Sequence, residues 1–271
     1  FQRYVSPAVI EHILADPGKL GLGGEKRRMS FVFSDLAGFT TLTERHEPEV
    51  VVALLQAYFD GMLQIALGHG GTVDRLVGDS IAVFFGAPAE QPDHAARAVR
   101  CALEIDRYCE AFRAAQTVRG IEMGVTRIGV HSGTAIVGNV GSAERLHYTA
   151  HGDCVNAAAR LESANKQLGT RVCISAEAAR HCTDGSFRPV ADLVLKGKSE
   201  SLECVAPWDG LCDDAREDYL AAYAALQRGD AASLALFAAL HRRVPDDGLV
   251  AYHYRRLAGG AQGARIVLEE K

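Results

Sequence analysis

The sequence offers no cysteine arrangement that would suggest a metal site or a disulfide framework. Its seven cysteines form no CxxC pair and show no metal-ligand spacing, and their number is odd. We therefore expect free thiols in a reducing compartment.

The sequence also lacks a surplus of basic residues and the patterns of a membrane span or a secretion signal. A net charge of -5 argues against a broad nucleic-acid-binding face. No apolar segment approaches the ~20 residues needed to cross a bilayer, and no signal-peptide pattern opens the chain. We expect a cytoplasmic location and no nucleic-acid partner.

The N-terminal segment begins in mid-element, with Phe1 rather than Met, so we expect a piece of a longer polypeptide. Residues 1–28 are predicted to form a short helix, with apolar positions from Val9 to Leu14, and then a mobile linker at 21–28, GLGGEKRR. This segment would join the rest to an absent upstream domain. A membrane anchor in that absent region is compatible with a cytoplasmic location of this piece.

Residues 29–207 alternate between strand-like and helix-like patterns. The predicted strands are 29–35, two within 72–85 around Gly78-Asp79, 125–133, 134–140, 171–175, 187–196 and 202–206, and the predicted helices are 48–67, 92–115 and 151–168. This order predicts an α+β fold, with a ferredoxin-like βαββαβ core and an appended βαβ unit.

Residues 213–258 are rich in Ala and Leu and predict a small C-terminal helical hairpin of the tetratricopeptide type, with a turn at Gly229-Asp230. One such pair of helices cannot bury both of its faces alone. We expect it to pack on the preceding domain or on a neighbour.

Two acidic residues stand out because they follow apolar strands. Asp35 ends the strand in FVFSDLAGFT, and Asp79 lies in the turn of VGDS. A buried carboxylate costs several kcal/mol unless it is paired, hydrogen-bonded or bound to a cation. Asp35 could instead cap the next helix, and Asp79 could satisfy turn amides. If the strands adjoin, the two carboxylates would repel each other, and Mg²⁺ would relieve that repulsion.

Five motifs in order make the pattern specific: FVFSDLAGFT, VDRLVGDSIAVFFGAP, RIGVHSG, YTAHGDCVNAAARLE and LKGK. Together they resemble the catalytic domain of the class III adenylate and guanylate cyclases over residues 29–207. The resemblance implies conversion of a nucleoside triphosphate to its 3′,5′-cyclic monophosphate and pyrophosphate. Residues 1–28 resemble the helix and linker of bacterial receptor cyclases, which implies an upstream sensory domain.

The resemblance implies that Asp35 and Asp79 bind two Mg²⁺ ions, for which Mn²⁺ can substitute, with the Leu36 carbonyl as a further ligand. It also implies that Arg127 binds the triphosphate and that Lys196 contacts the terminal phosphates. An ordinary strand arginine or a solvated turn lysine would give the same local patterns.

Asn156 and Arg160 match the pair that orients the ribose and stabilises charge at the α-phosphoryl group, although an ordinary exposed helix face would look the same. In this family the carboxylates and the arginine of RIGVHSG come from one domain, and the asparagine, the second arginine and the lysine come from another. Since one chain holds one copy of each, the resemblance implies a head-to-tail homodimer.

The base-selecting positions are Arg75 and Thr149. Arginine can donate to adenine N1 but cannot accept from guanine N1–H and N2–H₂, and a threonine hydroxyl can accept from the adenine 6-amino group. We therefore expect ATP as the substrate. Arg75 could instead turn away to pair with Asp74. The alternatives are a guanylate cyclase and a degenerate, non-catalytic module that binds nucleotide or only dimerises.

Overall fold

The computed structural model describes residues 7–15, 23–142, 146–208 and 210–268. The strands are β1 (Gly23–Leu36), β2 (Thr72–Val77), β3 (Ser80–Phe85), β4 (Thr126–Gly141), β5 (Leu146–His151), β6 (Val172–Ser175), β7 (Phe187–Val194), β8 (Ser201–Pro207) and β9 (Arg265–Val267). The helices are α1 (Pro7–Ala15), α2 (Phe39–Arg45), α3 (Pro48–Gly68), α4 (His94–Val118), α5 (Asp153–Leu168), α6 (Ala176–Ala179), α7 (Asp213–Gln227), α8 (Ala232–Arg243) and α9 (Gly248–Ala258).

The strands form one sheet in the order β2-β3-β1-β4-β6-β8-β7-β9, with β5 paired to β4. The first four of these strands are antiparallel and are joined through α3 and α4, which is the predicted ferredoxin-like core. Beyond it, β6 runs parallel to β4 after the crossover helix α5. Helices cover both faces of the sheet, so the α+β fold class is confirmed.

The linker predicted over 21–28 is wrong for residues 23–28, which form the start of β1. Gly23 to Arg28 pair with Asn139 to Thr134 of β4. Arg27 also donates hydrogen bonds to the carbonyls of Gly86 and Pro88, at 3.1 and 2.8 Å. The β4 residues that pair with this Gly- and Lys/Arg-rich segment lie more than 100 positions away in the chain, so no local pattern reveals the strand. Residues 21 and 22 lie outside the described residues.

The two strands predicted at 125–133 and 134–140 are one continuous strand, β4. Gly133, at the end of the first predicted strand, has no positive φ, and the chain continues through it. A Cβ there would lie 2.6 Å from the Cβ of Cys154 in α5, so the glycine permits close helix–sheet packing. The strand that turns back from β4 is β5, which the sequence analysis did not predict.

Helix α3 is long and apolar enough, by length and composition, to cross a membrane. The expectation that no segment reaches this length is therefore wrong for α3. The helix nevertheless packs on the sheet through Tyr58 and Met62, which are buried, and the Tyr58 hydroxyl lies 2.8 Å from that of Thr126. Core helices of this kind pass the same test, so α3 is weak evidence for a membrane span.

The C-terminal region contains three helices and a strand, not the predicted hairpin alone. The turn at Gly229 is present, with φ 68°, between α7 and α8. Helix α9 follows, and β9 then joins the sheet parallel to β7. Tyr219 and Phe237 are fully buried in a core shared with α5 and the sheet, so the region packs on the preceding domain, as expected.

Candidate active site

Asp35 and Asp79 lie at the same edge of the sheet because β3 pairs with β1 up to Ser34 and Ile81. The Ser80 hydroxyl donates to Asp35 Oδ1 at 2.8 Å, and the Leu36 backbone N–H donates to Asp79 Oδ2 at 3.1 Å. Helix α2 begins after Gly38, and no side chain caps it. The capping role considered for Asp35 is therefore excluded, and the two carboxylates share one site.

Burial and neighbouring carboxylates disfavour the charged forms of Asp79 and Glu162. Burial raises the pKa of Asp79, and the neighbouring Asp35 raises it further. Burial likewise raises the pKa of Glu162 to about 7, and the charges of Asp35 and Asp79 add to this rise while Arg127 opposes it. Such an excess of negative charge suits the binding of cations.

The available oxygen ligands suit Mg²⁺ better than a metal ion that is bound by protein side chains alone. Within the described ranges, no group of three or more His, Cys, Asp or Glu side chains is placed to hold a metal ion. Mg²⁺ commonly uses one or two carboxylates and takes its other ligands from substrate phosphates and water. Asp35 and Asp79 are the candidates, and the adjacent Leu36 donates its N–H to Asp79 and pairs with Thr126 of β4.

Arg127 lies directly opposite Asp35 in the pairing of β1 with β4. It is half-buried, and no hydrogen bond or ion pair of its side chain is seen in the described part of the chain. A guanidinium held next to the carboxylate edge is suited to bind phosphate oxygens. The structure thus brings Arg127, Asp35 and Asp79 together.

Glu162 is a site residue that the sequence analysis missed. It lies two residues beyond Arg160, in a motif that had been quoted for other residues. A Cβ on Gly129 of β4 would lie 2.2 Å from the Glu162 amide nitrogen, so α5 packs closely on the strand there. The Oε1 atom of Glu162 is buried without a hydrogen-bond partner. Only the packing of α5 on Gly129 reveals that this glutamate belongs to the carboxylate edge.

Asn156 and Arg160 lie on a different face of α5 from Glu162. Residues two apart are about 200° apart around a helix, so Arg160 faces away from Glu162, and Asn156 lies within about 40° of Arg160. Asn156 is exposed and Arg160 is half-buried. Each chain therefore presents its carboxylates and its Asn-Arg pair on separate faces.

The two residues predicted to select the base lie in different settings. Thr149 is buried on β5, opposite Gly138. Arg75 is 52% exposed, its Nε lies 3.5 Å from Asp74 Oδ2, and its guanidinium lies 5.9 Å from the centre of the Phe33 ring. The pairing of Arg75 with Asp74, which the sequence left open, is the one observed.

Lys196 is exposed in the turn after β7, where Gly197 has φ 72°. The other lysine of LKGK, Lys198, forms an ion pair with Asp153, the first residue of α5. This ion pair links the turn to the start of α5.

Replacing Glu162 with glutamine is expected to stabilise the metal-free protein at alkaline pH. A carboxyl group whose folded pKa is about 7, against a usual 4.5, contributes stability that is present below pH 4.5 and is lost as the pH rises through 7. Glutamine stays neutral, so the Glu162→Gln variant should gain roughly 1–3 kcal/mol over the wild type between pH 5 and 8.

Thermal unfolding in EDTA at pH 5 and pH 8 measures this difference. Glu90→Gln, at an exposed position, removes the same charge and should show no such pH dependence. Equal midpoints for wild type and Glu162→Gln at both pH values would contradict the assignment of Glu162 to the carboxylate edge.

Comparison with known proteins shows which families and structures this chain resembles. The family model of the adenylate and guanylate cyclase catalytic domain matches residues 24–205. The chain is 42% identical over 204 residues to Adenylate cyclase 1 from Rhizobium meliloti (strain 1021), which covers 75% of this chain and 31% of that protein. The chain thus corresponds to about a third of that relative's length.

Two solved structures resemble this one over most of the domain. The crystal structure of the adenylyl cyclase CyaB from P. aeruginosa gives a TM-score of 0.64 at 33% identity, covering 71% of this chain and 99% of that one. The crystal structure of a guanylyl cyclase gives a TM-score of 0.60 at 33% identity, covering 71% of this chain and 98% of that one.

Proposed function

The chain belongs to the family of adenylate and guanylate cyclase catalytic domains, and on that premise we propose that it converts ATP to 3′,5′-cyclic AMP and pyrophosphate at sites shared between two copies. The observation that carries this proposal is the separation of the site into two halves. Asp35 and Arg127 are paired on β1 and β4, Glu162 of α5 lies near them, and Asn156 and Arg160 lie on a different side of α5 from Glu162.

Two bound Mg²⁺ ions would lower the pKa of the ribose 3′-hydroxyl and neutralise charge on the departing pyrophosphate. Asp35 and Asp79 would hold the ions, and Arg127, opposite Asp35, would bind the triphosphate. From the second copy, Asn156 would orient the ribose, Arg160 would stabilise charge at the α-phosphoryl group, and Lys196 would contact the terminal phosphates.

Exposed apolar side chains support association with a second copy. Leu76 and Val77 on β2 are 44% and 63% exposed, and Ile136 and Val140 on β4 are 55% and 42% exposed. On β5, Leu146 is 40% exposed. Large apolar residues that remain exposed are typical of surfaces that a partner covers. A head-to-tail homodimer would cover them and complete two equivalent sites.

The proposal is tested by measuring cyclic nucleotide formation by the purified chain with Mn²⁺ and either ATP or GTP. Formation of cyclic AMP supports it, and formation of cyclic GMP in preference would identify a guanylate cyclase. No product with either nucleotide, in a folded and dimeric chain, would indicate a non-catalytic module.

In the whole protein we propose that an upstream sensory domain regulates this activity and that the catalytic domain is cytoplasmic.

The choice of base is expected to depend on Arg75. Guanine would place its N1–H and N2–H₂ against a cation, and unpaired donors in a desolvated pocket cost about 1–3 kcal/mol, or roughly tenfold to a hundredfold in specificity. Arg75→Lys should keep the preference for ATP, because the compact lysine ammonium can still donate a hydrogen bond to adenine N1. It also lacks the planar guanidinium through which Arg75 contacts Asp74. Arg75→Glu should weaken the use of ATP.

The measurement is kcat/KM for ATP and GTP in the wild type and both variants at fixed metal. Arg119→Glu, at an exposed position after α4, serves as a charge-matched control and should leave both values unchanged. A wild type that prefers GTP would overturn the base assignment. Equal values for wild type and Arg75→Glu would mean that Arg75 stays with Asp74 and does not reach the base.

A further inference from the structure

A groove of about 480 Å³ lies between the C-terminal helices and the end of α5, away from the residues proposed for catalysis. Its lining includes three arginines from α9 and β9, a tyrosine, a glutamine and an isoleucine: Arg255, Arg256, Arg265, Tyr252, Gln167 and Ile266. Gln167 lies eleven residues beyond Asn156 on α5, or about 16 Å along the helix. The groove is therefore a separate place on the molecule.

Arg256 is a half-buried cation whose charge no carboxylate balances within the described part of the chain. Burial lowers the pKa of its guanidinium, and its Nε is buried without a hydrogen-bond partner. Its other nitrogens donate only to the backbone carbonyls of Gln262 and Gly263. Desolvating a cation without an anionic partner is unfavourable.

A second buried arginine of the same region shows the contrast. Arg188 is 3% exposed, and its Nη1 lies 2.7 Å from Oδ2 of Asp247, which is 6% exposed. It also lies 5.4 Å from the centre of the Tyr219 ring. This arginine carries its own counter-charge, so its burial is explained by the fold alone. The burial of Arg256 is not explained in that way.

The other groups of the groove are hydrogen-bond donors suited to an anion. Arg255 is exposed, and Arg265 donates one hydrogen bond, from Nη2 to the Ser199 carbonyl at 3.1 Å. Gln167 Nε2 lies 3.4 Å from the Tyr252 hydroxyl. Guanidinium forks match the oxygens of phosphate in a bidentate manner. The volume falls within the range of small-molecule sites.

We propose that this groove binds a phosphate-bearing small molecule, with Arg256 and Arg265 holding the phosphate. The proposal does not depend on cyclase activity. The buried Ile266 and the exposed Val267 give the lining an apolar part that can receive a non-phosphate portion of the ligand. Inorganic phosphate, pyrophosphate and AMP are probes that share the anion and differ in what is attached to it.

Thermal unfolding of the full chain tests the proposal, with each probe titrated over the millimolar range in EDTA at constant ionic strength. Pyrophosphate or AMP should raise the midpoint in a saturable manner, by roughly 5 °C at a hundredfold excess over Kd. Arg256→Met and Arg265→Gln should each weaken binding at least about tenfold. Arg256→Met should also unfold no earlier than the wild type without ligand, because it removes an unpaired cation.

Arg242→Gln is the matched control, because it removes one exposed arginine of α8 outside the groove and should keep the full shift. A larger shift with AMP than with phosphate would show that the ligand carries more than the anion. The absence of a saturable shift with every probe would overturn the proposal, as would an equal loss in Arg242→Gln.

Glu269 and Glu270 follow β9 in the sequence and lie outside the described residues. The double variant Glu269→Gln/Glu270→Gln therefore belongs in the same experiment. If the shift is present in the wild type and unchanged in this variant, the groove is open to an external phosphate. A shift that appears only in this variant would overturn the proposal, because the chain's own carboxylates would then fill the groove.

Discussion

Replacing Asp35 or Asp79 with asparagine is expected to lower cyclic AMP formation by about a thousandfold or more, because the charge that would hold the catalytic ions is removed. Asparagine is nearly the same size as aspartate, and its carbonyl can still accept the hydrogen bond from Ser80 or from the Leu36 N–H. The fold should therefore survive, and the free energy of unfolding should stay the same or rise, since two like charges no longer repel.

Turnover at saturating Mg²⁺, together with the thermal midpoint with and without Mn²⁺, measures both parts of this prediction. The wild type should be stabilised by Mn²⁺ and the two variants should not. Asp60→Asn, which removes an exposed carboxylate from α3, should behave as the wild type in both measurements. Near-normal turnover in either Asp35→Asn or Asp79→Asn would refute the metal assignment.

Mixing two inactive variants is expected to restore activity if the two halves of each site come from different chains. Asp35→Asn and Arg160→Ala should each be inactive alone. After random exchange, each heterodimer has one site with both lesions and one site with neither, so about a quarter of all sites become intact. The physical reason is that α5 presents Arg160 on a face turned away from the carboxylates of its own chain.

The matched control places the same two lesions in one chain. When the double variant Asp35→Asn/Arg160→Ala is mixed with an equal amount of wild type, both sites of every heterodimer carry one lesion. Activity should then fall from about one half to about one quarter of the wild-type value as subunits exchange. If each site lay within one chain, the first mixture would stay inactive and the second would stay at one half, which would falsify the shared-site model.

Much of the fold could be predicted because its signals are local. The hydrophobic period of α3 and α5, and the paired strands on either side of Gly78-Asp79, identify these elements within windows of about 20 residues. The start of β1 and the single long β4 could not be predicted, since both depend on pairing between residues more than 100 positions apart. Strand β9 was missed for a related reason, because it is a three-residue strand fixed by pairing with β7.

The sequence by itself determined the types of residue in the candidate site and the family to which they belong. It identified Asp35, Asp79 and Arg127 from their motifs, and the structure then placed all three at one sheet edge. It gave no sign of Glu162, because nothing local distinguishes a glutamate on an amphipathic helix from an exposed one.

Only the tertiary structure decided which way each side chain faces. The close approach of α5 to Gly129 brings Glu162 to the carboxylates and turns Arg160 away from them. The bulge between Val73 and Arg75 in β2 leaves Arg75 beside Asp74. Burial without a counter-charge likewise distinguishes Arg256 from Arg188, which pairs with Asp247. The direction and the burial of a side chain result from packing between segments that are distant in the chain. They decide which charged groups lie next to an oppositely charged partner and which do not.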